Sequence, residues 1–399
     1  MNELPTIRIE EAATRTWDAV VIGAGPAGAV AARELARKGA ATLLVERYSL
    51  PRAKICGGCL NGRALATLEC LGLEHVLAQS HAARIDRFLV YARKHHVAVD
   101  LPAGVAIQRA AFDVALTRAA IDAGAAFLPE TAATVVAEIS KGAATRTILL
   151  SQREPDLARA TARVVIAADG LGHSSLRNLP VFHSRTSAAA RVGLGVTVPA
   201  SAAPVSYESG AIHMGVSSCG YAGLVRTADD VLNVAAAVDP VALRQASAPA
   251  ALINQVLRDA QMPSIPGLET ETCRGTLPLT RSSGRCATER VFVVGDAAGY
   301  VEPFTGEGMA WAMQSATSVV PVALELAADW DEARAWQWER AQRRQIAKGQ
   351  VACRVLAGLL RWPRVVDLTL ATLHVIPGVA APFVRHIHGG ATPIAASVK

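Results

Sequence analysis

Two hydrophobic periods divide the chain. Around 19–22, 41–45 and 163–168 the apolar residues run almost unbroken. Runs this short and valine-rich predict strands buried on both faces of a parallel sheet. Between them the spacing lengthens to that of helices: 27–38, then 60–71 closed by Gly72, then 109–122 closed by Gly124. Short strands are predicted near 131–138 and 146–151. From about 180 to 285 the character changes. Stretches at 191–198, 205–216, 220–226 and 231–238 follow one another with turn residues between them, predicting an antiparallel sheet covered on one face. Segment 85–101 alternates in the same way. A helix over 240–260 and an extended piece at 275–280 complete this part. Parallel character returns at 290–294. A helix then opens after 297–309, with Pro321 expected to kink or restart it. Residues 331–357 read as helical, and 358–399 as an apolar tail interrupted by Pro363, Pro377 and Pro382. The expected division is a discontinuous parallel-sheet domain (1–84, 102–178, 286–330), an inserted sheet domain (85–101, 179–285) and a helical C-terminal region (331–399).

The first buried strand runs into Gly23-Ala24-Gly25-Pro26-Ala27-Gly28, a G-x-G-x-x-G turn opening a helix. The first glycine permits the turn, the second lets backbone approach a pyrophosphate, and the third lets helix pack on strand. The free N–H groups of the helix then face the anion. Glu46 ends the next strand, where a ribose-binding carboxylate is expected. Strand, glycines, helix, strand and acid in this order predict a dinucleotide site. The loop 47–60 follows, with Arg47, Arg52, Lys54 and Cys56-Gly57-Gly58-Cys59.

At 399 residues, half of them hydrophobic, the chain is long enough for two or three lobes. The acidic N-terminus does not resemble a signal peptide, and no apolar run reaches the length of a membrane span. Seven scattered cysteines suit reduced thiols and a cytoplasmic setting. The net charge of +6 concentrates between Arg334 and Arg364. That stretch is a solvated helix face, or a surface for a membrane, an acidic partner or a phosphorylated cosubstrate. No recognition motif accompanies the charge, so nucleic acid is not expected. Cys56-x-x-Cys59 alone admits a redox dithiol or half a zinc site, but no second ligand pair stands at zinc spacing. His386 and His388 do not make a metal site by themselves.

The glycine turn with Glu46, then Asp169-Gly170, then Gly295-Asp296 form a widely spaced set that resembles the flavin enzymes of the para-hydroxybenzoate hydroxylase fold. Pro51-Arg-Ala-Lys54-Ile-Cys56-Gly57-Gly58 and Pro303-Phe-Thr-Gly306-Glu-Gly308-Met309 look like the branch holding geranylgeranyl reductases and related monooxygenases. The resemblance implies an α/β fold, a Rossmann-type FAD-binding domain with an inserted antiparallel-sheet substrate domain, and FAD as cofactor, visited transiently by NAD(P)H. It places Gly23, Ala24, Gly25, Pro26, Ala27, Gly28, Glu46, Arg47, Lys54, Arg109, Asp169, Gly170, Gly295 and Asp296 around the cofactor. Cys56, Gly57, Pro303, Gly306, Gly308 and Met309 would lie near the flavin ring. His213 and Tyr221 are candidates to face a lipophilic or aromatic substrate from the sheet.

Two reactions fit this branch. A monooxygenase would hydroxylate an aromatic, polyketide-like or alkylphenol substrate through a flavin C4a-hydroperoxide. A prenyl reductase would pass hydride to an isolated alkene. The reductases resembled carry an aromatic-Trp-Phe-Pro signature in the sheet domain. Here the corresponding stretch is Gly220-Tyr221-Ala-Gly-Leu-Val-Arg226, which favours the monooxygenase. Flavin halogenases share the fold, and Trp336-Gln-Trp338 carries only the first half of their tryptophan motif. The basic, apolar C-terminal region suggests peripheral membrane contact.

Overall fold

The computed structural model describes residues 5–102, 104–139, 142–152, 157–302, 304 and 306–376. Pro303, His386 and His388 lie outside the described residues.

The predicted parallel runs form the centre of one sheet. Strand Thr16–Ile22 pairs in parallel with Ala158–Ala167 on one side and Thr42–Val45 on the other, so that Val20 faces Val165 and Leu43. Val291–Val293 and Ala126–Leu128 extend it outward, also in parallel. Arg146–Ser151 turns back antiparallel against the long strand, and Ala132–Val135 pairs antiparallel with Arg146–Ser151 in turn. Helix Pro26–Arg37 packs between Arg109–Asp122 and Glu307–Ala328, and together they bury Val30, Ala31, Phe112, Leu116, Met313 and Val320 in one core. Each parallel strand delivers its C-terminal end, and the loop that follows, to the same side. That is where open α/β sheets bind ligands.

The second sheet has the strand order Arg274–Pro278, Val192–Pro199, Val231–Val238, Gly220–Arg226, Ala211–Ser217, Arg87–Ala92, His95–Asp100. It is not wholly antiparallel as expected. Arg87–Ala92 arrives from the first domain and pairs in parallel with Ala211–Ser217. Helix Pro249–Asp259 covers one face, where Leu252, Ile253, Val256 and Leu257 meet Leu194, Leu224 and Val234. The other face, carrying Ile212, Met214, Tyr221, Gly223, Val225 and Ala237, looks onto a cavity.

Other departures have local causes. No strand begins at 205. The chain turns there until Gly210, whose φ of +85° suits glycine, and the strand starts at Ala211. The helix expected over 240–260 is two, Pro240–Gln245 and Pro249–Asp259. Pro249 lacks the N–H that would continue the first and sits naturally at the start of the second. Cys59–Asn61 is a short strand, and Asn61 caps the helix Gly62–Cys70 by accepting from the Ala64 N–H at 3.1 Å. Glu307–Ala328 runs through Pro321 without restarting. Val319, Val320 and Ala323 are fully buried around the proline, and that packing offsets a cost of about 3 kcal/mol. Two further helices, Glu332–Leu359 and Pro363–Val375, close the described chain, the second lying on His95–Asp100.

Candidate active site

A continuous cavity of about 1050 Å3 runs from the ends of the parallel strands to the exposed side of the second sheet. The glycine turn forms one end. Gly23 has φ +104°, and a Cβ on Gly28 would lie 1.8 Å from the Gly23 carbonyl oxygen. Strand and helix touch there, so Gly28 packs without lining the cavity. Gly295 likewise meets the Ala27 Cβ. Gly23, Gly25, Pro26 and Ala27 do line it. Ala24 lies behind them, and its N–H donates to Glu46 Oε2 at 2.9 Å. The other Glu46 oxygen accepts from the Tyr48 N–H at 3.2 Å. Glu46 is thus locked onto the turn, and Arg47 stands beside it on the cavity wall.

A buried charge cluster floors the next section. Asp113, fully buried, accepts from Arg109 Nη2 at 2.9 Å and 3.1 Å and lies 3.6 Å from Arg52 Nη2. Arg52 also reaches Glu46 at 3.3 Å. Burial disfavours the Arg109 charge, but Asp113 and the Cys56 sulfur outweigh it and hold the guanidinium more firmly protonated than usual. Lys54 stands among them, its pKa lowered by burial and then by Arg109, against the pull of Asp296. Asp296 is raised by burial, opposed by Lys54 and Arg109. Asp169 accepts from the Ser175 N–H at 2.8 Å, while its second oxygen is buried with no partner. Gly170, at φ +72°, sits close to Lys54 Nζ.

The loop 54–59 crosses to the sheet domain. Asn233 Nδ2 donates to the Cys56 carbonyl at 2.9 Å, and Ile55 packs where a side chain on Gly195 would stand. Gly58, at φ +69°, lies against Ile107 and Asn233, leaving no room for a Cβ. Cys56 and Cys59 are free thiols, and Cys59 is pushed far above its ordinary value by burial and by Cys56. Cys59 abuts Gly306, whose φ of +76° opens helix Glu307–Ala328. Gly57, Gly306, Gly308 and Met309 all line the cavity.

Beyond them the walls turn apolar: Ile212, Met214, Val225, Ala235, Leu279 and Phe304. Tyr221 meets Phe304 edge-on, with centroids 5.2 Å apart. Behind Tyr221 lies an ion pair, Arg191 Nη1 to Glu302 Oε1 at 2.7 Å, with residue exposures of 2% and 3%. The second Glu302 oxygen has no partner. Burial raises the phenols of Tyr221 and Tyr300 well above their ordinary range, and neighbouring Glu302 adds to both shifts.

His213 does not join this group. Strand alternation turns it to the opposite face, where it stacks on Tyr91 and meets Tyr207 edge-on. Ile212 and Met214 face the cavity in its place. Trp336 and Trp338 are also elsewhere. Trp336 bonds Glu332, and Trp338 packs on Phe292. Among the described residues, no group of histidine, cysteine and acid side chains could hold a metal.

Residues 16–352 match the FAD-binding domain family. The chain belongs to that family. A menaquinone reductase of Mycobacterium tuberculosis is 28% identical over 363 residues, covering 88% of this chain and 86% of that protein. Digeranylgeranylglycerophospholipid reductase 3 of Methanosphaera stadtmanae is 26% identical over 317 residues, 75% of each. The solved flavin-dependent brominase Bmp2 superposes with a TM-score of 0.76 at 16% identity, over 94% of each chain, a likeness of fold alone.

The protein is therefore an FAD-dependent oxidoreductase with the α/β fold of hydroxylase-type flavoproteins, and the site fits that cofactor. Helix N-termini at Gly25 and Gly306 would offer N–H groups to a pyrophosphate and to a flavin edge. Lys54 would supply a desolvated cation between them, and the orphaned Asp169 oxygen would accept from a donor such as a hydroxyl. Several site residues escape sequence reading. Asp113 carries a faint signal, since it stands four positions from Arg109 on one helix face. Arg191, Asn233, Tyr300 and Glu302 come from distant segments, and no local pattern marks them.

Proposed function

We propose that this enzyme reduces an isolated carbon–carbon double bond in a polyprenyl lipid. The carrying observation is the make-up of the chamber wall. Among the described residues it is largely apolar and carries no imidazole, and its two phenols, Tyr221 and Tyr300, are kept protonated by burial. Such a wall accommodates an isoprenoid chain, and its protonated phenols offer a proton donor. The names of the two reductase relatives support this reading, because menaquinone and digeranylgeranyl lipids both carry prenyl chains.

Bound FAD, reduced by NAD(P)H, supplies a hydride equivalent. The protein's part is to hold the alkene against the loop Cys56–Gly58, exclude water with Met214, Leu279 and Phe304, and give a proton to the second carbon. Tyr221 is the proposed donor. Glu302, with one oxygen on Arg191 and one free, lies next to it to restore the proton.

A second reading, NAD(P)H- and oxygen-dependent hydroxylation of an aromatic or alkylphenol substrate, is favoured by one observation: 220–226 lacks the tryptophan and Phe-Pro of the reductases it resembles. Turnover of a short prenyl lipid and of a phenol panel, with products read by mass spectrometry, separates the two. Gain of two hydrogens, lost in Tyr221→Phe with FAD retained, supports the reductase. Gain of one oxygen atom from a phenol overturns it.

A further inference from the structure

The last two helices bury one apolar face and expose another. Leu360, Val366 and Leu370 turn inward onto Phe88, Val97 and Leu279 of the sheet domain. On the outside stand Val355, Leu359, Trp362, Val365, Leu368 and Val375, with Leu368 at 70% and Val375 at 77% exposure. More than half of the large apolar side chains exposed among the described residues fall between Val351 and Ile376. A patch of this kind on a folded surface marks a docking site.

The charge beside it says what docks there. From Arg340 to Ile376 the sequence carries Arg340, Arg343, Arg344, Lys348, Arg354, Arg361 and Arg364 against one acid, Asp367. Asp367 is itself held by His95 at 2.8 Å. Arg340 and Arg344 precede Val351 and Val355 at helical spacing, so cations and apolar residues share one stripe. Both arginines and Arg364 are exposed and make no ion pair among the described residues. An apolar strip flanked by unpaired cations complements an anionic bilayer, which takes apolar side chains below its headgroups and holds arginine at them. A protein partner would need acidic groups around an apolar ridge. A second copy of this chain would bring its own arginines into the same contact. No described helix is long and apolar enough to cross a membrane.

We propose that helices Glu332–Leu359 and Pro363–Val375 dock this enzyme on anionic lipid surfaces. The inference is independent of the substrate, but it puts the membrane one helix layer from the chamber, because the inward faces of both helices share a cluster with Tyr221, Leu279 and Phe304.

The test is co-sedimentation of the full-length holoenzyme with vesicles of phosphatidylcholine, with and without phosphatidylglycerol. Binding to phosphatidylglycerol vesicles that falls with salt is expected. Leu368→Glu/Val375→Glu and Arg340→Gln/Arg344→Gln should each weaken it, the arginine pair by about thirtyfold, with FAD content unchanged. Equal binding by wild type and both variants, or no binding, overturns the proposal. So does a dimer, seen by light scattering, that Leu368→Glu/Val375→Glu dissolves while vesicle binding is absent. A chain that binds vesicles only when ended at Ile376 assigns the patch to its own last residues and equally overturns it.

Discussion

Replacing Glu302 by glutamine strands Arg191 in the interior. The two groups are 2.7 Å apart and nearly inaccessible to water. At that separation and an effective dielectric of about 20, their attraction is about 6 kcal/mol. Most of it offsets desolvation, so the pair adds little net stability, whereas breaking it leaves a buried charge uncompensated at a cost of about 3–5 kcal/mol. An m-value near 3 kcal/mol/M turns that cost into a urea midpoint lower by about 1–1.7 M. The two single variants then differ in their response to pH. In Glu302→Gln the guanidinium cannot shed its proton, so the loss is the same from pH 5 to 8. In Arg191→Met the carboxyl can take a proton. Burial already raises the Glu302 pKa from its ordinary 4.5, and loss of Arg191 raises it further. A raised folded-state pKa means stability is full below the unfolded value and is lost as pH rises through the folded one. The Arg191→Met deficit is therefore small at pH 5 and grows toward pH 8. The double variant Arg191→Met/Glu302→Leu, apolar on both sides, should cost about 1 kcal/mol or less. Urea titrations of the FAD-saturated proteins at both pH values give all of these terms. Single deficits that simply add, or a flat Arg191→Met profile, would refute the reasoning.

Three further outcomes follow from the site. Gly25→Val should yield folded protein with little flavin absorbance, because only Lys54 and Arg52 approach that Cβ position and the space beyond is where a pyrophosphate would lie; normal FAD content removes the glycine turn from the site. Lys54→Met should weaken FAD binding about 10–100-fold in a fluorescence titration of apoprotein, the loss of one charge-assisted hydrogen bond, and an unchanged Kd would place Lys54 outside the phosphate contacts. Burial lowers the His213 pKa from its ordinary 6.5, so this residue's stability contribution is present above that value and lost as pH falls below it; His213→Phe should flatten thermal stability between pH 7 and 5 without changing turnover, and a large fall in kcat would contradict its place behind the sheet.

What the sequence made legible was local. The strand at 16–22, the turn at Gly23–Gly28 and Glu46 follow one another along the chain, so spacing alone displays them, and helix Arg109–Asp122 begins and ends where its pattern does. Sidedness was not legible. His213 and Met214 are neighbours on a strand apolar on both faces, so alternation says that they oppose each other but not which one meets the cavity. The parallel pairing of Arg87–Ala92 with Ala211–Ser217 joins segments more than a hundred residues apart, and both sequences suit either direction equally. Pro321 predicted a break that the surrounding core overrides.

The charges at the floor of the site show why its cofactor end was easier to find than its substrate end. Arg52, Lys54 and Arg109 face Glu46, Asp113 and Asp296, formally three against three, at the floor of the cavity. Each charge is tolerated there only because the others are present. A bound pyrophosphate would bring further negative charge, to be met by the N–H groups at Gly25 and by a lysine whose positive form burial disfavours, so that the anion and the Lys54 charge would stabilise each other. Chemistry of that kind needs backbone at fixed spacing, and fixed spacing leaves a motif. The substrate wall needs only side chains of suitable size from strands that meet in space. Tyr221, Glu302 and Arg191 meet there from three separate stretches of chain, and only the fold reveals them as one group.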